Sequence, residues 1–193
     1  EGFASRKAIR EGRFLFDLSE NRPASTAVRD THIGVRLENL DASRVVQLRL
    51  NGFTFSVLKG YVSWEQFVAE AKVLWSKYLM TTDLKQLSRV ALRYINFIEL
   101  PLAEVSFDDY LTAAPQVPPG LPQGLSSFLQ RVVVPFPGSG HTAIVTQALE
   151  PPTPTGIPVI LDIDVFSEQT VSTAPEELWT LLFSLRKTKN DIF

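Results

Sequence analysis

Apolar and polar residues alternate with period two over much of this chain. VVQLRL (45–50) and FTFSVL (53–58) alternate cleanly, with Asn51-Gly52 between them. Asn-Gly is the preferred two-residue hairpin loop, because a type I′ turn needs positive φ at both positions. Such a turn predicts the pairs Leu50–Phe53, Leu48–Phe55 and Val46–Val57 on one apolar face. Arg49, Thr54, Gln47 and Ser56 then fill a wet face. HIGVRLENL (32–40) predicts a strand beside this hairpin. GRFLFDLS (12–19) predicts another, with Phe14, Phe16 and Leu18 in alternation.

The period then changes. Trp64, Phe67, Val68, Ala71, Leu74, Trp75 and Tyr78 recur at helical spacing, predicting a helix over 64–79. Ser63 and Gln66 have the spacing of a capping box, and Val62 can staple onto Phe67. VALRYINFIEL (90–100) returns to strand character and stops at Pro101, and SFDDYLTAA (106–114) predicts a short helical turn. Eleven of the 13 prolines lie between Pro101 and Pro158. Proline lacks a backbone donor, so these stretches read as loops and sheet edges. Further strands are predicted at 128–136, 141–150 and 157–166. A closing helix starts near Ala174, with Thr173 and Glu176 as a second capping box and Leu178, Leu181, Leu182 and Leu185 as its apolar stripe.

This order predicts an α+β fold: a mainly antiparallel sheet with two long amphipathic helices packed on one face. The 193 residues suit one domain. Two similar ββα-containing halves, about 32–114 and 125–193, suggest a pseudo-duplication, with no residue-level repeat behind it. A strongly bent sheet gripping a helix and two ferredoxin-like halves are the other architectures compatible with the pattern.

Composition narrows the chemistry. The net charge of −2 carries no global field toward nucleic acid or anionic lipid. Arg6, Lys7, Arg10 and Arg13 form a local basic cluster that reads as a solvated terminal segment. There is no cysteine, which excludes disulfides, thiolate nucleophiles and cysteine zinc sites. No apolar run reaches the roughly 20 residues of a membrane helix. Together these predict a cytoplasmic protein without a cofactor. Its partner is another protein or a second copy, rather than a membrane or a nucleic acid.

Polar residues inside the strands are the candidate site. In LRYINFIELP (92–101) alternation puts Leu92, Tyr94, Asn96 and Ile98 on one face and Arg93, Ile95, Phe97 and Glu99 on the other. Arg93 and Asn96 therefore point apart. In LDIDVF (161–166), Asp162 and Asp164 share a face with Phe166. Two carboxylates there repel when unpaired. They predict either a bridge to Arg93, whose fork suits a carboxylate, or a metal site. His32 and His141 read as ordinary strand-start histidines. Ser139 and His141 in GSGH are too close in sequence to read as a dyad, and PGSG reads as a turn. No phosphate loop, dinucleotide fingerprint or metalloprotease motif occurs.

Taken together, GVRLENLDASRVVQLRLNGFTFSVLKGYVSWEQF, ALRYINFIELP, LDIDVF and LRKTKNDIF resemble an uncharacterised, sporadically distributed prokaryotic protein family. The resemblance runs from about Gly34 to Phe193 and implies no enzyme class. It marks Arg93, Tyr94, Asn96, Asp162, Asp164, Lys189, Asn190 and Phe193 as matched positions. Phe97 departs from the pattern, which has a polar or basic residue there. The resemblance also implies further residues beyond both ends of the chain. The leading expectation is a non-enzymatic binding or protein-interaction module. The alternatives are a metal-dependent phosphate-chemistry enzyme using Asp162 and Asp164, and a chaperone-like holder of unfolded chains.

Overall fold

A computed structural model describes residues 2–17, 25–102 and 106–193 of the chain; of residues 14–17, 25–27 and 29 it describes the backbone. The fold is α+β, with antiparallel strands and two helices. The chain divides into two compact units, residues 1–83 and 84–193.

The first unit holds β1 (Ser5–Asp17), β2 (Ser25–Glu38), β3 (Arg44–Arg49), β4 (Gly52–Val57) and α1 (Trp64–Leu79). The sheet order is β1-β2-β3-β4. β3 pairs with β2 only over residues 34–38, so residues 25–33 form a two-stranded ribbon with β1. The basic cluster lies on β1, with Arg10 and Arg13 on this ribbon, and its residues are exposed. Lys7 pairs with Glu38, Arg10 with Asp30 and Arg13 with Glu11. Of the strand expected over 12–19, Leu18 and Ser19 lie outside the described residues.

The hairpin forms with a different register from the predicted one. Leu48 faces Phe53, Val46 faces Phe55, and Arg49 faces Gly52. Leu50 and Asn51 make the turn, and neither Asn51 nor Gly52 has positive φ. The competing force is the neighbouring strand. The Leu50 N–H donates to the Ile33 carbonyl of β2 at 2.9 Å, and Leu50 ends 83% exposed. The shift moves every pairing by an even step, so the apolar face survives. Its Phe53 meets Trp75 and Tyr78 of α1, and Phe55 stacks on Phe67.

Half of the first capping box forms. The Ser63 hydroxyl accepts from the Gln66 N–H at 3.2 Å, while the Gln66 side chain turns to Glu70. Val62 stays mostly exposed.

The second unit contains β5 (Gln86–Leu87), β6 (Val90–Leu100), β7 (Leu129–Phe136), β8 (His141–Leu149), β9 (Ile157–Ser167), β10 (Val171–Ser172) and α2 (Pro175–Ile192). Its main sheet has the order β6-β9-β8-β7, and β5 pairs with β10. The strand at 90–100, grouped with the first half by sequence order, pairs with β9. The expected helical turn at 106–114 is a single 3-10 turn at Phe107–Asp109.

The predicted second capping box is absent. Thr173 spends its hydroxyl on the Leu84 and Lys85 carbonyls, and Ala174 is the N-cap without a side-chain bond. Pro175 at the first helical position has no N–H to cap.

The inner face of this sheet is covered in two places. α2 lies against β6, β8 and β9, burying Leu178 and Leu185 with Leu92, Ala143, Ile163 and Val165. At the other end, Phe107, Leu111 and Phe128 close over Leu100 and Val159. Between Leu111 and Phe128 in the chain, Pro118–Leu121 makes a turn through a Leu121 N–H to Pro118 carbonyl bond, with Gly120 at positive φ. No helix among the described residues is long and apolar enough to cross a membrane.

Candidate functional site

The outer face of the second sheet is built from every other residue of four strands. Register fixes which side chains meet across it. One row runs Leu129–Ala148–Ile160–Phe97, the next Arg131–Thr146–Asp162–Ile95. The third runs Val133–Ile144–Asp164–Arg93, and the fourth Pro135–Thr142–Phe166–Ala91. On the edge strands Leu129 is 75% exposed, Phe97 63% and Ile95 61%. The first row is apolar across the full width of the sheet.

Two ion pairs cross the middle rows. The Arg93 guanidinium donates to both oxygens of Asp162, at 2.8 and 2.5 Å. This bond raises the Arg93 pKa, against the opposing effect of burial. Arg89 donates to Asp164 at 3.3 Å and stacks its guanidinium over Phe166, 4.4 Å from the ring centre. The second Asp164 oxygen is buried without a hydrogen-bond partner. Arg131 makes no ion pair among the described residues.

Tyr94 and Asn96 point to the inner face. The Asn96 amide donates to the Leu161 carbonyl at 3.1 Å and ties β6 to β9. The Lys189 ammonium sits 4.5 Å from the Tyr94 ring centre and 5.2 Å from that of Phe193. Burial, helped by Arg186, lowers the Lys189 pKa. The eight matched positions therefore split. Arg93, Asp162 and Asp164 lie outside, while Tyr94, Asn96, Lys189 and Phe193 gather on the α2 side. Asn190, on α2, is exposed.

His141 is buried beneath α2. Its Nδ1 lies 2.9 Å from the Thr188 hydroxyl and its Nε2 3.5 Å from that of Ser184. Ser139 bonds the Phe136 carbonyl instead of His141. Burial lowers the His141 pKa. Among the described residues no three His, Cys, Asp or Glu side chains gather as metal ligands.

Arg89 and Arg131 escaped the sequence reading. Arg89 lies just before β6, outside the strand pattern. Its even spacing from Arg93 carried the signal, since it matches the even spacing of Asp164 and Asp162. Arg131 sits in a run of apolar residues on an edge strand and could be placed only by the register. No family model, curated protein or solved structure matches the chain.

Proposed function

We propose that this chain is a non-enzymatic interaction module that binds a protein surface through the outer face of its second sheet. The supporting observation is the apolar row Leu129–Ala148–Ile160–Phe97, open at both edges. Large contiguous apolar patches are rare on monomeric proteins and mark interaction sites. The adjoining rows bring charges that fix orientation more than affinity. The metal-dependent alternative has less support, because Arg93 occupies both oxygens of Asp162 and Arg89 engages Asp164.

The units also support a reading of shared descent. Each contains a three-stranded meander and then a long helix, β2-β3-β4-α1 and β7-β8-β9-α2, with the short β10 inserted before α2 in the second unit. They differ in the fourth strand: β1 joins the first meander strand, β6 the last.

The test compares wild type with Phe97→Glu by light scattering and by cross-linked pull-down. Phe97 is exposed, so the variant should fold with stability within about 0.5 kcal/mol of wild type. Wild type should form a complex that the variant loses. Equal behaviour of the two proteins overturns the proposal.

A further inference from the structure

We infer, resting on that reading of the outer face, that the partner is a second copy of this chain, packed sheet to sheet about a two-fold axis. Size is the first argument. Four strands about 4.8 Å apart, with about eight residues each rising about 3.4 Å, span roughly 19 by 27 Å. Side-chain relief raises that projection of roughly 500 Å² toward the about 800 Å² per partner of a standard interface.

Complementarity is the second argument, and it selects one axis. Homodimer faces are isologous, so the patch must match itself. An axis running across the strands sets Asp162 over the partner's Asp164, a like-charge contact. An axis running along the strands, between β8 and β9, keeps each row on itself and reverses the strand order. Phe97 then covers the partner's Leu129, and Ile160 the partner's Ala148. Asp162 meets the partner's Thr146, and Asp164 the partner's Ile144. Arg131, without an ion pair among the described residues, arrives beside the partner's Asp162. No row places like charges over one another. Aligned sheets pack about 10 Å apart and within about 30°, so these matches are closest near the axis.

Light scattering of the purified chain from about 1 to 100 µM tests the inference. Wild type should be a dimer at the upper end of that range. Phe97→Glu and Leu129→Glu should each be monomeric, with melting temperatures close to wild type. Arg131→Glu should weaken the dimer about tenfold, by replacing an attraction with a repulsion at Asp162. Val73→Glu removes an exposed apolar side chain of α1 and should leave the dimer intact. A dimer that survives both Phe97→Glu and Leu129→Glu overturns the inference. So does a wild type that stays monomeric at 100 µM. If that monomer captures another protein and Phe97→Glu abolishes the capture, self-pairing fails while the interaction reading stands. If Phe97→Glu changes nothing at all, both fail.

Discussion

Arg93 stands opposite Asp164 in the β6–β9 register, yet its guanidinium bonds Asp162, one step along the same face. Asp164 is engaged by Arg89 from outside the strand. Two cations and two carboxylates thus share the face diagonally, and each acid has its own arginine. A single arginine between the two aspartates would leave one carboxylate repelled and unpaired.

A double-mutant cycle measures the Arg93–Asp162 bridge. Bidentate charge-assisted pairs are stronger than neutral hydrogen bonds, but the Arg93 side chain is 56% exposed, against 16% for Asp162. Solvent screening therefore reduces the coupling to about 1 kcal/mol. Urea unfolding of Arg93→Ala, Asp162→Ala and the double variant gives this number directly. Arg93→Ala should be the more harmful single change per charge removed, since it leaves the better-buried group unpaired. A coupling below about 0.3 kcal/mol would mean that the bridge contributes orientation only.

Gly52→Val separates the observed turn from the one its sequence suggests. Gly52 has no positive φ, and an added Cβ meets nothing within 4 Å. Valine favours strand conformation and costs the unfolded chain some freedom. The variant should match or exceed wild type by a few tenths of a kcal/mol in thermal unfolding. A type I′ turn would force valine into positive φ and lower stability by about 1 kcal/mol or more. A drop of that size would count against the register described here.

Faces were more legible than partners in this chain. Alternation correctly separated Arg93 from Asn96 and placed Asp162 with Asp164, because a pleated strand enforces period two wherever one side is buried. Turn chemistry at Asn51-Gly52 was misleading. It is a local preference worth about a kcal/mol, overruled by the Leu50–Ile33 bond to the next strand. Thr173 failed as a cap for the same reason: two carbonyls distant in sequence had a stronger use for its hydroxyl. The ribbon beyond β3, the role of Arg89 and the clasp of His141 by α2 depend on contacts between residues far apart along the chain. No local window contains them.

Gly34 should tolerate no side chain. A Cβ there would collide with the Leu48 carbonyl oxygen and lie 2.8 Å from the Arg49 Cα, and both atoms are backbone of β3. Gly34→Ala must push β2 and β3 apart or break their pairing, and should destabilise the first unit by about 2 kcal/mol or more. Gly12 is the internal control: it lies on β1, and its Cβ would meet nothing within 4 Å. Gly12→Ala should be neutral or slightly stabilising. Chemical denaturation of the two variants side by side decides the point, and equal effects would contradict the close β2–β3 approach.

The His141 clasp predicts how α2 responds to acid. Burial disfavours the imidazolium, so the folded-state pKa lies below the ordinary 6.5. Between those two values the unfolded chain binds a proton that the folded chain does not. The stability linked to this residue is therefore fully present above about pH 6.5 and is lost as pH falls toward the folded value. The slope from one such proton is at most about 1.4 kcal/mol per pH unit. A neutral ring can satisfy both the Thr188 and Ser184 hydroxyls, while a protonated ring must donate to both from a buried position. Melting temperature measured from pH 7.5 to 5 should fall more steeply for wild type than for His141→Gln, which cannot titrate. Carboxylates common to both proteins cancel in that difference. Identical slopes would show that the imidazole is solvated in the folded state, and that α2 is held by Leu178 and Leu185 without this clasp.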